Sequence, residues 1–271
     1  MFAQPFTTLK KRTHFIVRKE SQMNNASNAP VVFINGLIGT LNDPEIHRQF
    51  GDRPFLAPDL YGYGNHQGTP VGNINIQGQV ERIREVVEAE FNECAVNLVG
   101  HSVGGVVAYA FAHRYPERVK SLVSVEGNFT LKDAFWSSSV ANMSVEQAET
   151  MLEGFRADPE AWLERSGILE PAGKTETAKT WLAHQPASTL QAMAQSVVAV
   201  TGRPDYQTIL RSVFASVPVH LLAGEHSVGG WDVPDWANKG ATSLTIMPDV
   251  GHLMMLQHPA AFGRLVAGLL A

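Results

Sequence analysis

Residues 95–109, AVNLVGHSVGGVVAY, constrain this chain more than any other stretch. Residues 95–99 form an apolar run that reads as a strand, and the small and apolar residues from Val103 to about Arg114 read as a helix. Gly100-His101-Ser102-Val103-Gly104 must therefore turn the chain from one into the other. A serine in so tight a strand-to-helix turn takes a strained backbone conformation, and the residues two before and two after it must lack side chains that would collide. Gly100 and Gly104 meet that need. The turn lifts the Ser102 hydroxyl clear of the sheet and leaves the Val103 amide at a helix N-terminus, free to donate to an oxyanion. With a strand before it and a helix after it, this G-x-S-x-G is the nucleophile-elbow pattern.

The rest of the chain supplies a scaffold for such a turn. Residues 31–34 (VVFI) are a short continuous apolar run of the kind buried on both faces of a sheet, and they end in Asn35-Gly36-Leu37-Ile38-Gly39. A glycine-rich loop directly after a central strand is where open α/β sheets place ligand-binding groups. Residues 13–18 predict an edge strand, residues 44–50 a short helix and residues 55–57 a further strand. Ile76, Val80, Ile83 and Val87 recur at i, i+4, i+7 and i+11, which predicts an amphipathic helix over 75–91. Buried strands follow at 121–125, 217–223 and 244–247, with a closing helix at 259–270. Strands alternating with helices imply a mainly parallel sheet.

Between residues 129 and 211 the pattern changes. No strand-like apolar run occurs there, and Leu190, Met193, Ala194, Val197 and Val198 mark a helical stripe. The expected organisation is a core formed by residues 1–128 and 213–271, with residues 129–212 inserted as a cap of about four helices. Phe135, Trp136, Met143, Trp162 and Trp181 fall in that insertion. They fit either its own core or an acyl or alkyl pocket, and Trp136 is a candidate substrate contact.

Composition narrows the function. The 271 residues, 44% hydrophobic and 17% charged, suit one large domain with an inserted subdomain. A net charge of −5, with basic residues scattered except for Lys10-Lys11-Arg12, gives no reason to expect a nucleic-acid partner. The one cysteine, Cys94, excludes an intrachain disulfide, and no Cys/His cluster has zinc spacing. Neither a signal-peptide pattern nor an apolar run of membrane-spanning length is present, so a cytoplasmic protein is the expectation. No cofactor or metal is implied, and oligomeric state is not readable.

A serine hydroxyl needs a base to take its proton, and the base needs a third group to orient it. Among ten histidines, His252 is best placed, in the Pro248-Asp249-Val250-Gly251-His252 loop after the last strand. His101 is expected to point away from the reacting centre by its place beside Ser102, while remaining a possible substrate contact; His226 and His258 are expected at the surface or behind the site.

These pieces resemble the α/β-hydrolase superfamily over essentially the whole chain. The resemblance rests on Asn35-Gly36-Leu37-Ile38-Gly39, Pro58-Asp59-Leu60-Tyr61-Gly62-Tyr63-Gly64, the GHSVGG elbow, Tyr115-Pro116-Glu117-Arg118-Val119 and GHLMMLQHP from Gly251 to Pro259. It implies the α/β-hydrolase fold with an inserted helical cap, and oxyanion donors at the Leu37 and Val103 amides. Asn35 stands where the family usually has a histidine, which backbone donors tolerate, and Asn35 and Gly36 become candidate substrate contacts.

A second departure concerns the acid. The family's usual aspartate after the strand at 217–223 is Ser227 here, and a hydroxyl cannot stabilise an imidazolium as a carboxylate does. Glu126, Asp232 and Glu225 are the possible replacements. Glu126 ranks first, because some members supply the acid from the end of this neighbouring strand and because a glutamate ending an apolar strand is costly to desolvate without a partner. Asp232 ranks second. Asp59 is expected to shape its own glycine-rich turn.

The resulting expectation is a serine hydrolase acting on an ester, thioester or lactone, with Ser102, His252 and Glu126 as its triad. Carbon–carbon bond hydrolysis, perhydrolysis or hydroxynitrile cleavage on the same triad stays open, as does a non-catalytic ligand-binding member. Haloalkane dehalogenase and epoxide hydrolase chemistry is disfavoured, because both need an aspartate where Ser102 stands.

Overall fold

The computed structural model describes residues 29–168 and 170–271. The edge strand expected at 13–18 lies outside them. Among the described residues, six strands, β1 (Val31–Ile34), β2 (Phe55–Leu56), β3 (Val96–His101), β4 (Val119–Val125), β5 (Val219–Gly224) and β6 (Ser243–Met247), form one sheet in the order β2-β1-β3-β4-β5-β6. Every pairing is parallel. Parallel strands need covered crossovers, and the central strands accordingly carry apolar side chains on both faces. β1 and β3 are buried throughout, each large side chain contributing about 1.5–3 kcal/mol by leaving water. At the edge, β6 instead leaves Leu244 and Ile246 exposed.

Helices α1 (Pro44–His47), α2 (Ile76–Phe91) and α3 (Val103–Arg114) lie in the first half of the chain. The Asn75 side chain caps α2 by accepting from the Gly78 amide, so the predicted start of this helix has a physical cause. Its predicted apolar face, Ile76, Val80, Ile83 and Val87, is buried.

Six helices stand among the described residues between β4 and β5: α4 (Phe135–Ala141), α5 (Val145–Ala157), α6 (Pro159–Arg165), α7 (Thr175–Ala183), α8 (Ala187–Thr201) and α9 (Tyr206–Ser216). The expected count of four was low, because α4 and α6 have seven residues each, too few for an apolar period to declare itself. α9 also runs past residue 212. The chain closes with α10 (Asp235–Gly240), α11 (Met254–Gln257) and α12 (Pro259–Leu269). No helix among the described residues is long and apolar enough to cross a membrane.

Candidate active site

The C-terminal ends of β1, β3, β4 and β5 and the loop after β6 converge on one rim. At the end of β3, Ser102 takes φ 53° and ψ −120° and becomes the N-cap of α3. Such a backbone costs about 1–3 kcal/mol in a non-glycine residue and persists only where the surroundings enforce it. Here the Ser102 amide donates to Val125 O at 2.9 Å, and the Gly105 amide donates to Ser102 O at 2.8 Å. Gly100 and Gly104 leave the necessary room: a Cβ on Gly104 would fall on the Ile34 carbonyl oxygen, and one on Gly100 would meet Gly104 O at 2.5 Å. The end of β1 can therefore lie against the first turn of α3. This contact brings the 35–39 loop beside the Val103 amide. Neither the Leu37 nor the Val103 amide donates to a protein acceptor among the described residues.

Glu126 follows β4 directly and is only 5% exposed, with φ 47°. Each of its carboxylate oxygens has a defined task. Oε2 faces His252 Nδ1 at 2.5 Å, while Oε1 accepts from the Gly224 amide at 2.8 Å and from Ser227 Oγ at 2.5 Å. Burial alone would push this carboxyl up, but the hydrogen bond and charge of His252, the Ser227 hydroxyl and the Gly224 amide together hold it below its ordinary value. The ionised carboxylate fixes the imidazole with Nδ1 protonated and leaves Nε2 as the acceptor. Ser227, in the position where an aspartate was expected, thus serves the carboxylate of the adjacent strand. Its role escaped the sequence reading, since 101 residues separate it from Glu126.

The other acid candidates lie elsewhere. Asp232 accepts from Thr130 Oγ1 at 2.7 Å and approaches Lys132 Nζ at 3.9 Å, and it does not line the cavity described below. Glu225 accepts from the Asp249 amide at 2.9 Å. Asp249, three residues before His252, has φ 58°, so strained non-glycine residues mark the loops carrying Ser102, Glu126 and His252.

His101 corrects one expectation. Rather than pointing away, its buried ring sits against His252, with centroids 4.6 Å apart, and its Nε2 donates to the His252 carbonyl at 3.0 Å. Burial, and then the charge of His252, keep His101 well below the usual histidine pKa, so it acts as a neutral brace. Asp59 plays the turn-forming part expected of it, accepting from the Asn65 amide and side chain and lying 3.3 Å from His184 Nε2.

Ser102, Glu126 and His252 all line a cavity of about 610 Å³. Its walls also include Leu37, Trp136, Trp162, His101, His226 and Ser227. Asn35 and Gly36 are not among its lining residues; the Asn35 amide instead folds back to Gly36 O at 2.9 Å. Trp181 belongs to the helical segment but packs on Gly39. The His226 side chain sits near Glu225 and Asp249, an exposed trio whose ligand atoms lie within 4.8 Å of one another, as a metal-binding group would require. A hydroxyl on a strained turn, an imidazole held by a buried carboxylate and the Leu37 amide at one cavity, with the Val103 amide at the helix N-terminus next to Ser102, have the chemical means to move a proton and to stabilise an oxyanion.

A model of the alpha/beta hydrolase family matches residues 31–265, and the chain belongs to that family. Lipase 1 of Psychrobacter immobilis is 28% identical over 121 residues, which are 44% of this chain and 37% of the lipase. The chain thus matches little more than a third of that lipase's length. The 2-succinyl-6-hydroxy-2,4-cyclohexadiene-1-carboxylate synthase of Enterobacter sp. (strain 638) is 26% identical over 251 residues, 89% of this chain and 91% of the synthase. A thermophilic esterase from Thermogutta terrifontis shares the fold, with a TM-score of 0.67, 20% identity and 89% of each chain covered. The protein is an alpha/beta hydrolase whose relatives carry the names of more than one chemistry.

Proposed function

We propose that the protein is a serine hydrolase that cleaves a carboxylic ester, thioester or lactone through an acyl-enzyme on Ser102. The observation that carries this reading is the Glu126–His252 pair, held at 2.5 Å on the wall of the cavity that Ser102 also lines. Ser102 Oγ attacks the substrate carbonyl carbon while its proton passes to His252 Nε2. The oxyanion is held by the Leu37 and Val103 amides, and Glu126 stabilises the imidazolium. As the bond to the leaving group breaks, His252 returns the proton to the departing alcohol or thiol. Water then attacks the acyl-enzyme with His252 as base, the acid leaves, and Ser102 is restored. The helices between β4 and β5, centred on residues 129–212, act as a cap over a core formed by 1–128 and 213–271. Trp136, Trp162, Phe135 and Phe155 line the cavity and give it an apolar wall suited to an acyl or aryl group. A small-molecule substrate handled in the cytoplasm, with no cofactor, fits this reading.

A second reading keeps the triad and changes the reaction, for instance to carbon–carbon bond hydrolysis. What favours it is that a relative matching nearly the whole chain is named a synthase. A fluorophosphonate probe and a panel of nitrophenyl esters, acyl-CoA thioesters and lactones test both. Ester hydrolysis requires labelling and turnover that vanish together in Ser102→Ala. Labelling without turnover on the whole panel supports the second reading, and no labelling at all refutes both.

A further inference from the structure

The loop that carries the Leu37 amide is fastened from two sides, and one fastening comes from the helical segment. On the core side, Tyr63, fully buried, donates its hydroxyl to the Leu37 carbonyl at 3.1 Å. On the other, the Gly39 amide donates to Gln185 Oε1 at 2.9 Å across 146 residues of sequence. Gln185, between α7 and α8, is fully buried, and its Nε2 donates to the Trp181 carbonyl at 3.1 Å. Arg156 of α5 fixes the same connection, donating to Leu182 O at 3.0 Å and to Gln185 O at 2.9 Å. The Trp181 ring covers Gly39, whose φ of +90° and close ring contact leave no room for a Cβ.

We propose that Gln185 is a positioning residue for the oxyanion hole: through the Gly39 amide, the inserted helices set the direction of the Leu37 amide two residues away. The proposal rests on the reading of Leu37 and Val103 as oxyanion donors. Gln185 touches no reacting atom and does not line the cavity. Its contribution is therefore to transition-state stabilisation, with little effect on ground-state binding.

Gln185→Met removes the acceptor and keeps the approximate shape, whereas Gln185→Glu keeps an acceptor oxygen for Gly39. On a nitrophenyl ester, Gln185→Met lowers kcat by about 10- to 100-fold, less than outright loss of an oxyanion donor, and leaves KM nearly constant. A trifluoromethyl ketone, whose adduct bears the oxyanion, weakens by a similar factor, and Gln185→Glu, protonated at this fully buried site so that one oxygen accepts from Gly39 and the hydroxyl donates to the Trp181 carbonyl, recovers most of both. Arg156→Met, which loosens the same connection from the surface, gives a smaller fall in kcat alone and covers the case in which Gln185→Met does not fold. A rise in KM, or a lowered melting temperature with unchanged kcat, overturns the proposal. Hydrogen exchange at the Gly39 amide, measured in the same proteins, tests the tether without turnover, and unchanged exchange in both variants also overturns it. Wild-type enzyme without Ser102-dependent turnover would instead refute the ester-hydrolase reading, while the exchange result still decides whether the tether exists.

Discussion

Replacing Glu126 by glutamine tests the site most directly, because the two carboxylate oxygens have unlike partners. Oε1 receives two donors, the Gly224 amide and the Ser227 hydroxyl, and Oε2 meets only His252 Nδ1. A glutamine carbonyl must take the place of Oε1, since an NH₂ group there would face two donors. The NH₂ then points at His252 and pairs with Nδ1 only when that nitrogen is the unprotonated one. This tautomer carries its proton on Nε2, where the proton of Ser102 should arrive, and the imidazolium loses its counter-charge. A triad with the wrong tautomer loses ~10³- to 10⁴-fold in turnover, or about 4 to 5.5 kcal/mol of transition-state stabilisation. The assay is kcat and KM on a nitrophenyl ester from neutral to alkaline pH, with the melting temperature as a check on folding. Asp232→Asn, assayed in parallel, retains wild-type kcat, because Thr130 and Lys132 are the groups that Asp232 meets. Glu126→Gln retaining more than about a tenth of wild-type kcat, or Asp232→Asn losing more than Glu126→Gln, refutes the assignment.

Three further outcomes follow from the same geometry. Ser102→Gly relieves a φ of 53° and raises stability by about 1–3 kcal/mol in denaturant melts, while abolishing fluorophosphonate labelling; a less stable variant would show that the turn is not strained. Ser227→Ala removes one of the two donors to Glu126 Oε1 and lowers kcat by up to about 10- to 150-fold, the equivalent of a hydrogen bond to a charged group worth ~1.5–3 kcal/mol, with KM unchanged. Asp59 is held down to about 2: burial opposes ionisation, but the neighbouring His184 ring and the Asn65 hydrogen bonds outweigh it. A depressed carboxylate stabilises the fold above its unfolded value near 3.8 and loses that contribution as pH falls towards 2, so Asp59→Asn costs about 2 kcal/mol at neutral pH and progressively less between about pH 4 and 2. A stability gap that stays constant across that acid window would refute the assignment of Asp59.

Local rules carried the sequence reading as far as the ends of the strands. The glycine spacing around Ser102 was informative because the steric demand acts between residues two apart, and the apolar runs of β1, β3 and β4 were informative because a strand buried on both faces tolerates little else. Ser227, Gln185 and the His101 brace were not legible. Each works through a single long-range hydrogen bond, and a polar residue in a loop looks the same in sequence whether it faces water or a buried partner. Glu126 lies between these cases. Its sequence signal was the desolvation cost of a lone carboxylate after an apolar strand, which demands a partner without naming it. The sheet register supplies the name. Val125 pairs with Leu222, so the residue after β4 abuts the end of β5, and a carboxylate there reaches the Gly224 amide and the side chain at 227. Glu126 and the position where the resemblance places the family's usual acid are thus close neighbours. A carboxylate at both would place two negative charges within hydrogen-bonding distance, which raises the pKa of one of them and weakens its hold on the imidazole. Ser227 and Glu126 are therefore two halves of one arrangement, in which a hydroxyl rather than a second carboxylate at the first position adds a donor to Glu126, alongside His252 and the Gly224 amide that help to keep it ionised.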